Sequence, residues 1–526
     1  MATVPPESCL HCENEPEDRV PFAPLLESDR AVGTLVGLVL AWQFVDSLLT
    51  ASRKAFWYDE LITLHVSALQ PSSRVLQALR AGADSMPPGY ELIERVARVL
   101  PLDVHAALRL PSILGYLFSL LAVYLFAKKR LAASAGLAAV ILLVLSPFRN
   151  YAVEARSYAL EVGLFAVSAV VWQRVGTRRL MVPLLGILLA MAVSCHYYAA
   201  VALLSFGLGE LTWTLASRRI RWGVWAAFVF ATAPFFAALP ILLRLKDIVG
   251  RNFWAKPSVD LTISTYSEYL GFDGAWIVAM LVFGGFVFSS MVFRASRTTA
   301  EDLSSRTLPA PELVFLAGLV LYPPLLILIT SILHGGYTAR YGWPAILGLV
   351  LGLVYLGWAL WSWANFTRFV VALLIALCLQ FGVDMASAVD PSNSSLAEVR
   401  ERWMRLAHVA DGHPDIPVVV GDALDYLPST QYAPLGLRGR LVEVVDPDLE
   451  VRVCGSDSTD RGGAILAGFA PLRVENRAPF LAAHREFMLY SSRGPFDWIT
   501  RYLIEKGSHL SLLWQDRSGS LYLCER

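Results

Sequence analysis

Long apolar runs alternate with short polar links over most of this chain, and the pattern is interrupted by a polar stretch at 51–106 and gives way for good after about 387. A helix needs about 20 largely apolar residues to cross the hydrocarbon layer of a bilayer. Eleven runs meet that requirement, near 31–50, 107–127, 131–148, 157–173, 180–196, 198–216, 223–243, 274–293, 312–333, 343–362 and 367–386. The fifth and sixth are joined only at His196-Tyr197-Tyr198, so one of them could be re-entrant. The pattern predicts an α-helical polytopic membrane protein of about eleven spans.

The two interruptions read differently. In 51–106, Val75, Leu76 and Leu79, then Leu92, Ile93, Val96 and Leu100, recur at helical spacing opposite Arg74, Arg80, Glu91, Glu94, Arg95 and Arg98. Such a pattern predicts two amphipathic helices lying in the membrane interface. After 387, short β-rich runs at 416–420, 441–445, 487–490 and 521–523 alternate with helical stretches, one of them holding Trp498 and Leu503 and closing at Gly507. The expected organisation is a loose cytoplasmic tail over 1–30, a membrane domain over 31–386 that includes the outer loop 51–106, and a small soluble α/β domain over 387–526.

Composition agrees with this class: 56% of residues are hydrophobic and 17% charged, against about 25% charged in ordinary soluble domains. With 44 basic and 44 acidic residues the chain carries no bulk attraction for nucleic acid, and none is expected as a partner. The distribution of the basic residues is informative instead. Alternate short loops hold Lys128 to Arg130, Arg174 to Arg179, Arg218 to Arg221, Arg294 to Arg306, and Arg368, whereas the opposite short loops are poorer in Lys and Arg. The positive-inside rule then puts the N-terminus in the cytoplasm and the loop 51–106 and the C-terminal domain outside. The first thirty residues show no apolar segment of signal-peptide type, so the first run is expected to be an uncleaved anchor. Six scattered Cys make no disulfide framework, and no Gly-rich phosphate loop occurs.

Polar residues with chemical potential gather at the outer helix ends. They are Asp59-Glu60 after Trp57-Tyr58, Asp84 ahead of Pro87-Pro88, Arg109-Leu110-Pro111-Ser112, Glu154-Ala155-Arg156-Ser157-Tyr158, His196-Tyr197, and Arg340-Tyr341. Taken singly, each has a structural reading: a solvated interface pair, a helix-starting proline, an Arg–Glu pair, an aromatic belt. Taken together, they fall on one face. An outer carboxylate facing several Arg, Tyr and His residues suits transfer of a sugar from a lipid phosphate. The phosphate leaves as an anion that needs cationic stabilisation, and a single carboxylate suffices as base on the acceptor hydroxyl.

The order of these motifs resembles the polyprenyl-phosphate-dependent GT-C glycosyltransferases over roughly 31–386, and most closely the bacterial branch with protein mannosyltransferase-like, lipid A aminoarabinose transferase-like and galacturonosyltransferase-like members. The resemblance implies a GT-C architecture with Asp59 as catalytic base and Glu60 as its companion in an acceptor or metal-supporting role. It implies that Arg156 and Arg340 hold the donor phosphate and that Tyr158 and Tyr341 line the cavity, with Asp84, Glu154, His196 and Tyr197 as further substrate-binding candidates. Met86 stands directly before the proline pair where some relatives carry a charged residue. Glu60, Glu154 and His196 are also of metal-ligand type, so a divalent metal stays open. The expected partners are a polyprenyl-phosphate-linked sugar, membrane lipids, and an acceptor glycan, lipid or protein. The expected place is a bacterial inner membrane, with the site facing the periplasm. The competing readings are a non-catalytic transporter or lipid flippase and, behind it, a receptor whose α/β domain binds ligand.

Overall fold

A computed structural model of the protein describes residues 23–249, 252–271, 309–390 and 392–525. The eighth apolar run, Arg294, Arg297 and Arg306, and the tail up to residue 22 lie outside the described residues. A short α1 (Ala23–Glu27) precedes α2 (Asp29–Arg53), whose start is fixed by Ser28 accepting from the Ala31 amide and whose ends carry Asp29 and Arg53, matching the helix dipole. The outer loop folds as α3 (Tyr58–Ser67), α4 (Ser72–Ala81) and α5 (Pro88–Ala97). The bundle continues through α6 (Val104–Arg130), α7 (Ala133–Leu145), the 3-10 turn Pro147–Val153, α8 (Tyr158–Trp172), α9 (Met181–Cys195), α10 (Ala199–Ser217), α11 (Trp222–Ala231) and α12 (Ala233–Val249). It closes with α13 (Leu261–Leu270), α14 (Ala310–Val320), α15 (Tyr322–Leu333), the 3-10 turn Ala339–Gly342, α16 (Ala345–Leu360) and α17 (Trp363–Val389).

The protein is an integral membrane protein. Among the described residues, five helices are long and apolar enough to cross a bilayer, or seven if the bent pairs 133–153 (70°) and 310–333 (50°) each count as one span. Three shorter apolar helices, α8, α9 and α16, coincide with further runs of the sequence pattern. The most extensive packing is α6 on α8, where Gly115 and Gly163 face each other so closely that a Cβ on either would collide with the other backbone. Small residues are what allow membrane helices to approach this way. Charges inside the bundle are matched: Arg149 reaches Asp46 (3.2 Å) and Asp384 (2.9 Å), and Arg130 meets Glu312 at 2.6 Å.

The C-terminal strand-containing domain begins with α18 (Ser395–Ala410). Then come β1 (Val418–Val420), α19 (Ala423–Tyr432), α20 (Leu435–Arg438), β2 (Leu441–Val445), α21 (Pro447–Cys454) and α22 (Ser458–Ala467). The chain ends with β3 (Val474–Asn476), α23 (Arg477–Ala483), β4 (Glu486–Ser491), α24 (Trp498–Glu505), β5 (His509–Gln515) and β6 (Ser520–Glu525). The sheet order is β3-β2-β1-β4-β6-β5, with the first four strands parallel and the β4-β6-β5 edge antiparallel. β1 and β2 are buried throughout and apolar but for Glu443, as strands covered on both faces tend to be.

This domain and the outer loop share one core. Phe56, Leu61, Val75 and Leu79 from the loop pack in the same cluster as Trp403, Val418, Tyr426 and Tyr490. Polar links reinforce it: the Phe56 amide donates to the Tyr432 hydroxyl (2.6 Å), which also meets His105 Nε2 (3.1 Å), and the Ala55 amide donates to Ser395 (3.0 Å).

The two helices that the loop pattern predicts turn their apolar faces differently. The hydrophobic face of α4 is buried, through Val75 and Leu79, but α5 is turned the other way. Glu91 and Glu94 are fully buried while Leu92 and Val96 are exposed, at 42% and 66%. Next to a bilayer the apolar face need not turn inward, and the two acids point toward the polar interior of the site.

Candidate active site

The site is built on the N-terminal turn of α3. Trp57 is extended, and its amide donates to the Glu60 side chain (3.2 Å), a one-way cap that starts the helix and fixes Asp59 and Glu60 in its first turn. Adjacent helical residues point in different directions, and these two meet different arginines.

Glu60 is fully buried. It receives Arg109 through two bonds, Nε to Oε1 (2.8 Å) and Nη2 to Oε2 (2.7 Å), and also accepts from the Ala155 amide (2.6 Å). Arg109 spends its remaining donors on the carbonyls of Ala51 (2.7 Å), Lys54 (2.6 Å) and Ala55 (3.0 Å), and its guanidinium lies 4.7 Å from the centre of the Phe56 ring. One turn along α6, Ser112 donates to the Arg156 carbonyl (2.8 Å). The Arg-Leu-Pro-Ser motif thus binds the two loops that carry Asp59 and Arg156.

Asp59 is open by comparison, with its side chain 18% exposed and Oδ2 3.0 Å from Arg340 Nη1. Arg340 sits in the 3-10 turn Ala339–Gly342, its guanidinium near the rings of Trp57 (5.2 Å), Trp254 (5.9 Å) and Tyr341 (6.0 Å), an arrangement that favours a cation. On the other side, Arg156 donates through Nη1 to the Asp59 carbonyl (3.2 Å), to Thr63 one turn along α3 (3.0 Å) and to Asp84 (3.0 Å). The Nε atoms of both Arg156 and Arg340 are buried without a hydrogen-bond partner. Two guanidiniums with a donor to spare, flanking one accessible carboxylate, make a cradle for an anion.

The other expected residues are distributed around this centre. Asp84 turns its carboxylate to Arg156 and holds its own loop through the amides of Ser85 (2.6 Å) and Met86 (3.3 Å). Tyr158, His196 and Tyr341 form one aromatic wall, with His196 5.7 Å from Tyr158 and 5.2 Å from Tyr341, and the buried Tyr158 hydroxyl has no hydrogen-bond partner. His196 Nδ1 also lies 3.5 Å from Glu161. Glu154 pairs with Lys54 at 3.7 Å. Tyr197 is buried, and its ring is absent from the wall that His196 and Tyr341 form. Among the described residues no group of three or more His, Cys, Asp or Glu side chains is placed to hold a metal ion.

Sequence reading did not single out Glu91, Glu94, Thr63, Trp254 or the partner of Arg109. Burial, followed by the charge of Asp84, pushes the Glu91 carboxyl well above the usual carboxylate range. Burial does the same to Glu94. Arg109 stood out as part of the Arg-Leu-Pro-Ser motif, but nothing in the sequence pointed to Glu60 as its partner. Trp254 gave none beyond standing beside Phe253 in a loop.

No family model matches the chain, and no curated protein matches it. Solved structures do. The chain is similar to ArnT from Cupriavidus metallidurans in its apo state, at 15% identity and a TM-score of 0.53, over 94% of this chain and 97% of that one. It is similar to the same protein bound to undecaprenyl phosphate, at 14% identity and a TM-score of 0.51, over 93% and 97%. The chain therefore has the GT-C fold.

Proposed function

We propose that this protein is a membrane glycosyltransferase that moves one sugar from a polyprenyl monophosphate to an acceptor hydroxyl. The observation that carries the proposal is the Asp59–Arg340 pair at 3.0 Å with Arg156 on its other flank. The bound undecaprenyl phosphate of the similar ArnT structure supports a donor of this class.

Asp59 takes the proton of the acceptor hydroxyl as its oxygen attacks the anomeric carbon from the face opposite the phosphate. The new carbon–oxygen bond forms while the bond to the phosphate oxygen breaks, so the anomeric configuration inverts. The phosphate leaves with the bonding pair, and Arg340 and Arg156 stabilise its added charge. Asp59 neutralises Arg340; an arriving phosphate takes over that role and leaves the carboxylate free to act as base. Glu60 acts on Asp59 through the backbone and is a positioning residue. Tyr158 and Tyr341 line the cavity, and Asp84 orients Arg156. The site and the C-terminal domain face the exterior, which for a bacterial inner membrane is the periplasm.

A transporter would carry its ionisable groups near the bilayer midplane and show repeated halves. Here Asp46 is occupied by Arg149, and the unpartnered Nε donors of Arg156 and Arg340 lie in the connections between helices. The test is incubation of the detergent-purified protein with a panel of radiolabelled polyprenyl-phosphate sugars, wild type beside Asp59→Asn. Release or transfer from one donor, lost in the variant while lipid binding is kept, is the expected result. Full activity in the variant removes Asp59 from the mechanism, and silence across the panel without saturable lipid binding shifts the weight to transport.

A further inference from the structure

We propose that Glu91, on the buried face of α5, is a positioning residue for the donor. Its carboxyl and that of Asp84 share one proton, which keeps Asp84 on Arg156 and keeps the centre from turning negative toward an anionic lipid. This deepens the transfer reading above and rests on it.

The packing of α5 holds Glu91 in place. Pro88 starts the helix, and Gly89 lies so close to α9 that an added Cβ would collide with the Ser194 carbonyl. With that edge pinned and Leu92 and Val96 exposed on the other side, Glu91 is fully buried. Among the described residues neither of its carboxyl oxygens has a hydrogen-bond partner. The carboxyl faces Asp84. Asp84 is itself committed: Oδ2 accepts from Arg156 Nη1 (3.0 Å), and Oδ1 accepts from Arg156 Nη2 (3.4 Å) and from the amides of Ser85 (2.6 Å) and Met86 (3.3 Å). Two ionised carboxyls have acceptors only and cannot bond to each other. One proton between them makes a hydrogen bond and removes one of two buried like charges.

The ion pairs of the centre point the same way. Asp59 pairs with Arg340, Glu60 with Arg109, Asp84 with Arg156 and Glu154 with Lys54, so these groups sum to zero charge. Glu91 and Glu94 are in excess. The charged groups that act on Glu91 are Asp84, Arg156 and Glu94. Of the elements packed against α5, α3 brings Glu60, held by Arg109 of α6, and His65, which burial holds toward its neutral form. The α9 helix carries no charged side chain and ends at the Cys195 thiol, and Arg74 and Arg80 of α4 are exposed. An ionised Glu91 would add an unmatched negative charge beside Arg156, compete with the donor phosphate for that guanidinium and repel it. With the proton in place, Arg156 stays where Asp84 holds it, its Nε free for the phosphate.

Two measurements on the full-length protein in detergent test this. The first is the infrared difference spectrum at neutral pH between wild type and Glu91→Gln, which keeps the side chain's shape. Loss of a protonated-carboxyl band in the variant is the expected result, and loss of a carboxylate band instead would overturn the shared proton. The second is equilibrium binding of undecaprenyl phosphate. Glu91→Gln, whose amide donates to Asp84 in the proton's place, binds within about twofold of wild type, and Glu91→Ala binds about tenfold more weakly. Because the effect runs through Asp84, Glu91→Ala costs nothing further in an Asp84→Asn background. Wild-type affinity in Glu91→Ala, whatever its thermal midpoint, or an undiminished loss in the Asp84→Asn background, would overturn the positioning role. Loss of the protonated-carboxyl band in a protein that takes up no undecaprenyl phosphate would overturn the transfer reading instead.

Discussion

Asp59 and Glu60 are neighbours in sequence and in one helical turn, each faces an arginine, and they end in opposite conditions. Glu60 and Arg109 are both fully buried, joined by two bonds, with every remaining donor of Arg109 on backbone carbonyls. Asp59 and Arg340 are each 18% exposed, joined by one short contact, with Arg340 Nε left over. A pair that has spent its hydrogen-bonding capacity can only hold structure. A pair with capacity left and an opening to solvent can exchange partners, which is what a base and an anion clamp must do during turnover.

The difference can be broken from either side. The largest effect is expected from Arg109→Ala, which leaves the Glu60 carboxylate buried with its main partner gone. Stability falls by about 3–5 kcal/mol, read as a large drop in the thermal midpoint of the purified protein. Arg340→Lys is milder. The charge stays, but the planar fork and its contact with the Trp57 and Trp254 rings are lost, so affinity for polyprenyl phosphate, measured by equilibrium binding, weakens about tenfold with the midpoint unchanged.

The smallest effect concerns a third kind of acid, in the C-terminal domain. Burial first, and then the charge of Asp460, pushes Glu450 up to about 8, and burial pushes Asp460 up to about 6. The folded protein keeps protons on these two groups that an unfolded chain gives up above about pH 4, so their contribution to stability is full below that value and is lost as the pH rises toward about 8. Glu450→Gln removes the larger part of this slope. Its thermal midpoint, close to wild type near pH 5, rises above wild type by about pH 8.5.

Much of this was legible in the sequence because membrane spans and motif order are one-dimensional signals. The runs 31–50, 107–127 and 367–386 lie within α2, α6 and α17, and Asp59, Asp84, Arg156 and Arg340 meet at one centre. What was not legible depends on which way a face turns. Periodicity defines the two faces of α5 but not what packs against the polar one, and Glu91 and Glu94 become buried groups. The third loop helix, α3, was missed because its ten residues carry a weak pattern and take their start from the Trp57–Glu60 cap. The merging of the loop with the C-terminal domain through Phe56 and Tyr432, residues far apart in sequence, leaves no local trace.

The central claim is that of these two adjacent carboxylates one serves the chemistry and the other the fold. The direct test is to measure thermal midpoint and single-turnover sugar transfer in the same preparations of Asp59→Asn and Glu60→Gln. The expected result is that Asp59→Asn melts as wild type does but transfers slower by about 10²–10⁴-fold, while Glu60→Gln loses stability and, at temperatures where it stays folded, keeps most of its transfer rate. Transfer at the wild-type rate in a folded Asp59→Asn protein, or a folded and equally stable Glu60→Gln protein that is inactive, would contradict it.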